Sequence, residues 1–563
     1  MISVLSRKWE LNKINKNSLE KIKQDYKLSE IVSKLIISRK FDKTEITSID
    51  NTLKFNNIFS NNSDFKDSIK IVIDCINNKE KICILGDYDV DGSAATSLLI
   101  RFFESINHPH FYYIPDREKD GYGPSKKLFQ KLILKNPKLI IMVDCGSTSN
   151  QAIDFLNNKN IKSLIIDHHE INKPFPKANI IINPKKDNGY IKYDYLCATT
   201  LVYFFLDLLS LQIKSNFKLS DYLIYVLLAT VCDVMPIRKL NRILAVNALK
   251  NFDLNKILAF KELFNLFDKK NKLNINDLGY FIGPILNSGG RLGNSNYASD
   301  LLSSKNLYEI NRKAKKLIEL NNKRKEIENL IINEIDFKKI EKENKDIIIY
   351  YDAKLNEGLI GIIAARLKDY FNKPSIVITN SNNILKGSAR SVFNYNMGKV
   401  IKKLKDNNLI ISGGGHNMAA GFTLKKNNLN KFKDFIFKDL LKIRLYKDNF
   451  TYDAILSTKA LNQDFYSDIC KLEPFGNGNQ TPIFLLKDLS IIKPSILNQN
   501  HISLILKSKS GFSIKAISFN SVKNKIGEYL LNYKKNLNVL GQINENYWNN
   551  KKTLQLTIKD VIL

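Results

Sequence analysis

The chain has 563 residues, which is long enough for several domains of ordinary size, and 44% of them are hydrophobic, which is enough for real cores. Its 87 Lys and Arg residues outnumber its 56 Asp and Glu residues, so the formal net charge is +31. Such a charge favours a polyanionic partner such as nucleic acid, but a composition biased towards lysine, asparagine and isoleucine would also produce it without selecting a ligand.

The sequence argues against four classes of protein: disulfide-rich, zinc-binding, secreted and membrane-spanning. The six cysteines form no CxxC pair and several lie in apolar runs, so neither a disulfide framework nor a zinc site is expected. The N-terminus carries Arg7, Lys8 and Glu10 where a signal peptide would need an apolar stretch. The apolar run that starts at Tyr222 stops at Asp233, which is too short for a membrane span. We therefore expect a soluble, cytoplasmic protein.

A weakly marked N-terminal segment (1–69) is followed by short apolar runs that alternate with amphipathic segments, as in parallel strands joined by helices. A strand is predicted over 81–85 and a helix over 93–103. Further strands are predicted in the runs FYYIPD, LIIMVDCG, LIIDHH and IIINP. The sequence thus predicts an α/β domain with a parallel sheet over 70–250, and catalytic groups in such sheets gather at the carboxyl ends of the strands.

Three further regions are predicted along the rest of the chain. Residues 251–345 form a helical region, and its charged end, from about 305, has apolar residues at the spacing of a long connecting helix. An α/β pattern restarts at 346 and predicts a second, smaller domain over 346–448. From 449 to 563, short alternating runs separated by turn residues suit a small β-barrel.

Carboxylates and histidines close several apolar runs of the first α/β domain. The first strand leads into three aspartates within five residues, and later runs end in VDCG, DHH and CDV. The residues concerned are Asp87, Asp89, Asp91, Asp144, Asp167, His168, His169 and Asp233. If they converge, mutual repulsion would raise their pKa values and destabilise the site unless cations neutralise it. Carboxylates with one or two imidazoles suit manganese or magnesium, and two such ions can activate water for phosphodiester hydrolysis.

Each of these residues also has a plain structural explanation when it is taken alone. Asp91 could cap a helix, Asp144 could hold a turn, and a single histidine is usually structural. The metal site is favoured because every member of the set closes an apolar run within one alternating pattern.

The motifs DYDVDG, VDCG, DHH and CDV, in this order, resemble the four motifs of the DHH phosphoesterase superfamily, and the style of the first is similar to the RecJ family. Four later segments also resemble RecJ-family segments: GPILNSGGRLGN (283–294), GSARS (387–391), GGGHNMAAGF (413–422) and LEPFGNGNQTPIF (472–484). The similarity covers residues from about 80 to 485, and the order of the motifs is more specific than any one of them. Val90 stands where the family leads us to expect alanine, which changes no ligand.

The resemblance implies a fold and a metal site. The fold would comprise a parallel-sheet DHH domain, a long connecting helix, a smaller α/β DHH-associated domain and a C-terminal OB-like β-barrel. Two manganese or magnesium ions would be bound by Asp89, Asp91, Asp144, His168 and Asp233, and Asp87 would be a further ligand or would support the ligands from nearby. Asp144 would bridge the ions and His169 would face the scissile phosphate, so these two residues are the catalytic candidates.

The resemblance also implies a set of substrate contacts. The candidates are Gly414, Gly415 and His416 in the glycine-rich motif, and Arg291, Ser388 and Arg390 in two arginine motifs. Glycines would let backbone amides approach the strand, although a plain glycine turn would have the same sequence. A guanidinium among small residues would bind the 5′ end of the strand, where the alternative is an ion pair with a surface carboxylate. In the barrel, Tyr547 and Trp548 could stack on bases or pack into the core.

The activity implied is that of a 5′ to 3′ exonuclease that hydrolyses single-stranded DNA to mononucleotides in DNA repair and recombination. The expected partners are single-stranded DNA, a single-strand-binding protein and a helicase, and the protein is expected to be a monomer. The alternatives are a DHH phosphodiesterase acting on short oligonucleotides or cyclic dinucleotides, more remotely a soluble pyrophosphatase, and a catalytically silent nucleic-acid-binding relative. The extra barrel favours a longer polymer, and the intact set of ligands argues against a silent relative.

Overall fold

The computed structural model describes residues 1–49, 53–116, 120–121, 123–186, 191–270, 272–343, 345–381, 383–392, 395–441, 449–533, 535–548 and 551–563. The chain forms two compact units. The α/β unit comprises Phe55–Met235 and Ala248–Tyr446, and the barrel unit comprises Met1–Lys54, Pro236–Asn247 and Lys447–Leu563. The units interleave along the chain, whereas the domain boundaries expected from the sequence run consecutively and stay predictions.

The strands are β1 (Lys8–Leu11), β2 (Ile82–Leu85), β3 (His110–Tyr113), β4 (Leu139–Val143), β5 (Lys162–Ile166), β6 (Ile180–Ile182), β7 (Ile348–Tyr351), β8 (Ser375–Ser381), β9 (Ile384–Arg390), β10 (Ser412–Gly415), β11 (Ala419–Leu424), β12 (Asn449–Tyr452), β13 (Ala454–Leu456), β14 (Phe484–Leu497), β15 (His501–Ser508), β16 (Ser513–Ser518), β17 (Leu537–Trp548) and β18 (Lys551–Ile562).

The helices are α1 (Lys16–Tyr26), α2 (Glu30–Ser38), α3 (Lys43–Thr47), α4 (Ser63–Asn77), α5 (Val90–Ser105), α6 (Lys126–Leu132), α7 (Asn150–Asn157), α8 (Ala198–Gln212), α9 (Leu223–Cys232), α10 (Lys239–Lys250), α11 (Leu258–Leu266), α12 (Gly283–Arg291), α13 (Tyr297–Ser303), α14 (Leu307–Glu334), α15 (Phe337–Glu343), α16 (Ile360–Phe371), α17 (Met397–Asp406), α18 (Leu429–Leu441), α19 (Gln463–Cys470) and α20 (Lys525–Asn532).

The first sheet of the α/β unit is parallel throughout, in the order β3-β2-β4-β5-β6. Every residue of β2 and β4 is buried, because helices pack on both faces of the sheet and uninterrupted apolar runs are therefore required. The predicted parallel α/β domain is confirmed. The polar residues that follow its strands lie at the carboxyl edge of the sheet, where the candidate site is found.

A long helix and a second sheet complete the α/β unit. Helix α14 begins where the Asn306 side chain accepts hydrogen bonds from the backbone N–H groups of Tyr308 and Glu309, and it confirms the predicted connecting helix. The second sheet has the order β10-β11-β9-β8-β7, in which only β7 and β8 pair in parallel. This smaller sheet, covered by helices such as α16 and α17, is the predicted second α/β domain.

The barrel unit is built on a closed five-stranded barrel. Its strands follow the order β14-β15-β16-β18-β17, and β17 pairs back with β14. The N-terminal residues belong to the same unit, because β1 pairs in parallel with β12 and the Trp9 indole N–H donates to Asp560 at 2.9 Å. The predicted C-terminal barrel is confirmed, but the side chains of Tyr547 and Trp548 lie outside the described residues, so their predicted stacking stays a prediction.

The helices of both units are shorter or more polar than a bilayer-spanning helix within the described residues. Within the described parts of the chain, none combines the length and the apolar character needed to cross a membrane.

Candidate active site

The acidic motifs meet at one edge of the parallel sheet. They follow β2, β4, β5 and α9, apart from Asp91, which lies in the first turn of α5. Three sets of side chains each place one possible ligand atom per residue within 4.8 Å of the others: Asp87, Asp89 and Asp144; Asp91, His168 and Asp233; and Asp144, His168 and His169. All six predicted metal ligands and both predicted catalytic residues are therefore brought together.

The His168 imidazole lies among three carboxylates. Its Nε2 is 3.4 Å from an oxygen of Asp144, 3.4 Å from an oxygen of Asp233 and 3.7 Å from an oxygen of Asp91. The ring is buried, so these charges interact in a medium of low dielectric constant.

Several atoms of this cluster are buried without a hydrogen-bond partner among the described residues. They are both carboxylate oxygens of Asp144, both ring nitrogens of His168 and one oxygen of Asp233. Burying such atoms unpaired is costly, and native structures rarely leave them so unless a ligand completes the site. Carboxylate oxygens with an imidazole nitrogen form the donor set that manganese and magnesium accept, so the residues present fit divalent cations.

Burial and mutual repulsion perturb the carboxyl groups as the sequence predicts. Burial, with the charge of Asp89, raises the pKa of Asp91 to about 6. Burial, with the charge of Asp91, raises the pKa of Asp233 to about 8. The pKa of Asp144 is raised well above its ordinary value, first by burial and then by the charges of Asp91 and Asp89. A divalent cation would oppose all three shifts because it stabilises the ionised carboxylates.

Two of these aspartates also cap helices. The Asp89 carboxylate accepts a hydrogen bond from the Gly92 N–H at 3.0 Å and thereby begins α5. The Asp91 carboxylate accepts from the N–H groups of Ala198 and Thr199, at 2.8 and 2.7 Å, at the start of α8. The prediction that Asp91 could cap its own helix is wrong, because Asp89 caps α5 and the Asp91 carboxylate instead binds the start of α8.

Asp144 occupies an unusual backbone position at the end of β4. Its φ is +61°, in the left-handed region that residues with a Cβ seldom adopt. Such strain is retained where the surrounding structure fixes a residue for another purpose. Here the strained turn presents the carboxylate to both His168 and the aspartates after β2.

Asp167 has a different role from its neighbours. One of its oxygens accepts hydrogen bonds from the backbone N–H groups of His168 and His169 and lies 2.8 Å from His169 Nδ1. The other oxygen accepts from the Ser147 N–H at 3.1 Å. Burial opposes ionisation, but the charges of His169 and His168 and the hydrogen bonds to His169 and Ser147 together outweigh it, so the pKa of Asp167 is well below its ordinary value. Asp167 therefore orients His169 as a fixed anion.

His169 is correspondingly held as a cation. Burial alone would lower its pKa, but the charge of Asp167 and their hydrogen bond raise it to about 10. Its ring lies 6.2 Å from the His416 ring, with an angle of 26° between the planes, so these two predicted residues from different domains face each other.

The two other candidates of the glycine-rich motif differ from each other. Gly415 has φ +154°, and a Cβ there would lie 2.4 Å from the Ala419 carbonyl oxygen, so the hairpin requires glycine. A Cβ on Gly414 would meet no atom within 4 Å among the described residues. The space beside Gly414 is therefore open enough for a ligand to approach the backbone.

The arginine motifs lie against the residues that begin α16. Arg291 Nη1 donates to the Gly358 carbonyl oxygen at 3.1 Å. Arg390 Nη1 donates to Ser388 Oγ at 3.2 Å, and both side chains lie near Gly361, where a Cβ would be 3.0 Å from Arg390 Nη2. The three predicted residues thus contact one short segment, residues 358–361, at the start of a helix.

Two polar residues beside the site were missed by the sequence analysis. Asn183 follows β6 and donates to Ser147 Oγ at 2.8 Å and to the His169 carbonyl oxygen at 2.9 Å. Lys185, two residues later, has a side chain that is only 16% exposed. The signal was available, because the run IIINP also ends in polar residues at a strand end.

A parallel sheet whose strand ends carry this aspartate and histidine cluster, joined to a smaller domain with a glycine-rich hairpin, defines a DHH-type phosphoesterase. The DHH family N-terminal domain matches residues 81–230, the DHHA1 domain matches 344–441 and the RecJ OB domain matches 452–560. Because all three occur in this order, the chain belongs to the RecJ family of DHH proteins.

Two named relatives are similar in sequence to this chain over most of its length. The single-stranded-DNA-specific exonuclease RecJ of Bacillus subtilis is 26% identical over 98% of this chain and 70% of its own length. The Haemophilus influenzae protein of the same name is 28% identical over 80% of this chain and 83% of its own length. Among solved structures, RecJ of Thermus thermophilus in complex with Mn²⁺ has a TM-score of 0.82 at 19% identity, covering 98% of this chain and 79% of that chain. The fold is therefore shared.

Proposed function

We propose that this chain is a 5′ to 3′ exonuclease that hydrolyses single-stranded DNA to mononucleotides with two divalent cations. The observation that carries the proposal is the set of buried, unpartnered ligand atoms on Asp144, His168 and Asp233. The relatives described above are named single-stranded-DNA-specific exonucleases, and this chain shares their OB domain. These facts favour a polymeric DNA substrate over a dinucleotide.

The metal ions would be held by two groups of side chains. One group is Asp87, Asp89 and Asp144, and the other is Asp91, His168 and Asp233. Asp144 is the candidate for a ligand shared by the two ions, because it belongs to the first group and its carboxylate also lies 3.4 Å from His168 Nε2 in the second. Bound manganese or magnesium supplies Lewis acidity towards a phosphoryl oxygen and lowers the pKa of water.

His169 would contact the scissile phosphate directly. The buried carboxylate of Asp167, 2.8 Å from Nδ1, favours the protonated imidazole, which can donate a hydrogen bond to a phosphate oxygen. Asp167 fixes the ring through Nδ1, which leaves Nε2 for the substrate. A pre-oriented cation at this point would stabilise the charge that develops during cleavage.

The 5′ end would be bound where the arginine motifs meet the start of α16. Arg390 and Ser388 lie near Gly361 in this segment, and Arg291 donates to the Gly358 carbonyl oxygen. Helix starts and guanidinium groups both favour phosphate oxygens. A terminal phosphate held here would set the distance from the strand end to the metal cluster, which supports release of mononucleotides from the 5′ end.

The wider biological setting rests on the family. We place the enzyme in DNA repair and recombination in the cytoplasm, as a monomer that acts with a single-strand-binding protein and a helicase. The barrel would hold the downstream part of the strand by stacking and phosphate contacts.

The deciding experiment is a digestion panel with the full chain. Labelled single strands, blunt duplexes, dinucleotides, cyclic dinucleotides and pyrophosphate would be compared with manganese, with magnesium and with EDTA. We expect mononucleotides from the 5′ end of single strands only when a divalent ion is present, and no cleavage by Asp89→Ala. Faster turnover of a dinucleotide or of pyrophosphate than of the single strand would overturn the proposal.

A further inference from the structure

Lys185 is anchored beside the candidate active site by the polar residues that follow β6. Its backbone N–H donates to Asn183 Oδ1 at 2.9 Å, and the Asn183 amide donates to the His169 carbonyl oxygen at 2.9 Å. The lysine backbone is therefore fixed relative to His169 through a single asparagine. Its side chain is 16% exposed, and its ammonium lies 3.1 Å from Glu170, whose side chain is 61% exposed.

The charge of Lys185 acts on both sides of the site. Burial and the charge of Asp91 raise the pKa of Asp233, and Lys185 opposes that rise. Burial lowers the pKa of His416 in the second domain, and Lys185 is the largest charge contribution to that shift. The geometry agrees, because the ammonium pairs with Glu170, the residue after His169, and the His169 ring faces the His416 ring of the second domain at 6.2 Å.

The ion pair between Lys185 and Glu170 is weak enough to be exchanged for another contact. The exposed carboxylate of Glu170 gives a solvent-screened pair of small value, yet the lysine backbone is held by a buried asparagine. A phosphate entering the site would offer the ammonium a stronger charge-assisted contact than an exposed glutamate does.

We propose that Lys185 is a substrate-binding residue that exchanges Glu170 for a phosphate of the bound strand. The proposal rests on the proposed function, because it assigns the ligand as the strand cleaved at the neighbouring cluster. In this arrangement Glu170 competes with the substrate: it holds the ammonium in place when the site is free and releases it when a phosphate arrives.

The test measures binding of a 5′-phosphorylated single strand to the full chain in EDTA, by fluorescence anisotropy at several salt concentrations. Lys185→Gln should weaken binding about tenfold, the size of one charge-assisted contact. It should also reduce the slope of log affinity against log salt by about 0.7, the value for one phosphate contact with a single strand. Glu170→Gln should strengthen binding, because it removes the competitor.

Lys186 offers a matched control. Its side chain is also 16% exposed, but its ammonium bonds Asp64 at 3.0 Å and the Ile181 carbonyl oxygen at 3.2 Å. Lys186→Gln should therefore leave the salt slope unchanged. Melting temperatures of all three variants would show whether each is folded.

Opposite effects of Lys185→Gln and Glu170→Gln would support the exchange. Equal losses of binding in both variants would show that the pair is only structural, and a wild-type salt slope in Lys185→Gln would also overturn the proposal. Failure of the proposed function would look different: the wild type would bind the strand with this lysine dependence but would not cleave it when manganese or magnesium is added.

Discussion

Replacing Asp144 by asparagine should stabilise the metal-free protein and remove most of its response to manganese. The side chain is 1% exposed, and neither carboxylate oxygen has a hydrogen-bond partner among the described residues. Asparagine keeps the shape of the side chain and removes its charge. The variant therefore loses both the repulsion that destabilises the cluster and the ligand shared by two of the metal-binding sets.

The size of the effect follows from the geometry of the cluster. Two unit charges 4.8 Å apart, the outer limit within the set of Asp87, Asp89 and Asp144, repel by about 3.5 kcal/mol at an effective dielectric constant of about 20. This value indicates a gain on the order of 3 kcal/mol in the free energy of unfolding once the cluster is ionised.

The stability gained by Asp144→Asn in the absence of metal should increase as the pH rises. Carboxyl groups whose pKa is raised in the folded state bind protons that the unfolded chain releases, here between 3.8 and about 8 for Asp233. The stability of the metal-free wild type therefore falls as the pH rises through that window. Asp144→Asn removes one of the charges responsible, so its stability should fall less.

Thermal unfolding in EDTA and in manganese, at pH 5 and pH 8, measures these effects. Metal at about 100 times its dissociation constant should add about 2.7 kcal/mol to the wild type and much less to Asp144→Asn. Asp167→Asn is the control, since it alters a buried aspartate of the same site whose oxygens are already hydrogen-bonded, and it should destabilise the protein at neutral pH. Equal melting temperatures of wild type and Asp144→Asn in EDTA at pH 8, with equal shifts in manganese, would refute the reasoning.

Three other predictions concern the substrate. Arg390→Ala should lose the preference for a 5′-phosphorylated over a 5′-hydroxyl strand, a cost of about 1.5–3 kcal/mol or one to two decades in rate, and an unchanged preference would place recognition elsewhere. Gly415→Ala should lower the melting temperature and the activity because its Cβ would meet Ala419, whereas Gly414→Ala should keep the melting temperature of the wild type; equal melting temperatures would contradict this account of the hairpin. A blunt duplex should be cleaved far more slowly than the same strand unpaired, and comparable rates would rule out narrow access to the cluster.

The sequence predicted what depends on local pattern. Buried strands such as β2 and β4 appear as uninterrupted apolar runs, and the aspartates that close them must lie at one sheet edge in a parallel α/β arrangement. The metal-binding candidates could therefore be identified before any contact was known. Their order then carried the resemblance to the DHH superfamily.

The parts that were not predicted depend on distant pairings. Strand β1 pairs with β12, and Trp9 donates to Asp560, 551 residues away in the sequence. Hydrophobic periodicity reports which face of a segment is buried but not which partner buries it. The N-terminal segment therefore showed no sign of belonging to the barrel unit.

The sequence predicted which residues lie in the candidate site more readily than what each of them does there. Asp91 was considered as a cap for its own helix, but its carboxylate caps α8. Asp167 stands beside two ligand candidates in sequence, yet its hydrogen bonds make it the group that orients His169. A motif shows that a carboxylate is near the site, whereas the direction of its oxygens is decided by the three-dimensional contacts.

The end of α12 contacts both the loop after β2, which carries the candidate ligands Asp87 and Asp89, and the second domain. Gly290 packs so closely on the loop after β2 that a Cβ there would lie 2.7 Å from the Tyr88 carbonyl oxygen. The next residue, Arg291, donates to the Gly358 carbonyl oxygen in the segment that also contacts Arg390. A shift of this helix end would thus change the distance between the proposed 5′-phosphate site and the cluster. Because a terminal exonuclease positions its cut from the strand end, product length would be set by this turn as well as by the metal ligands themselves.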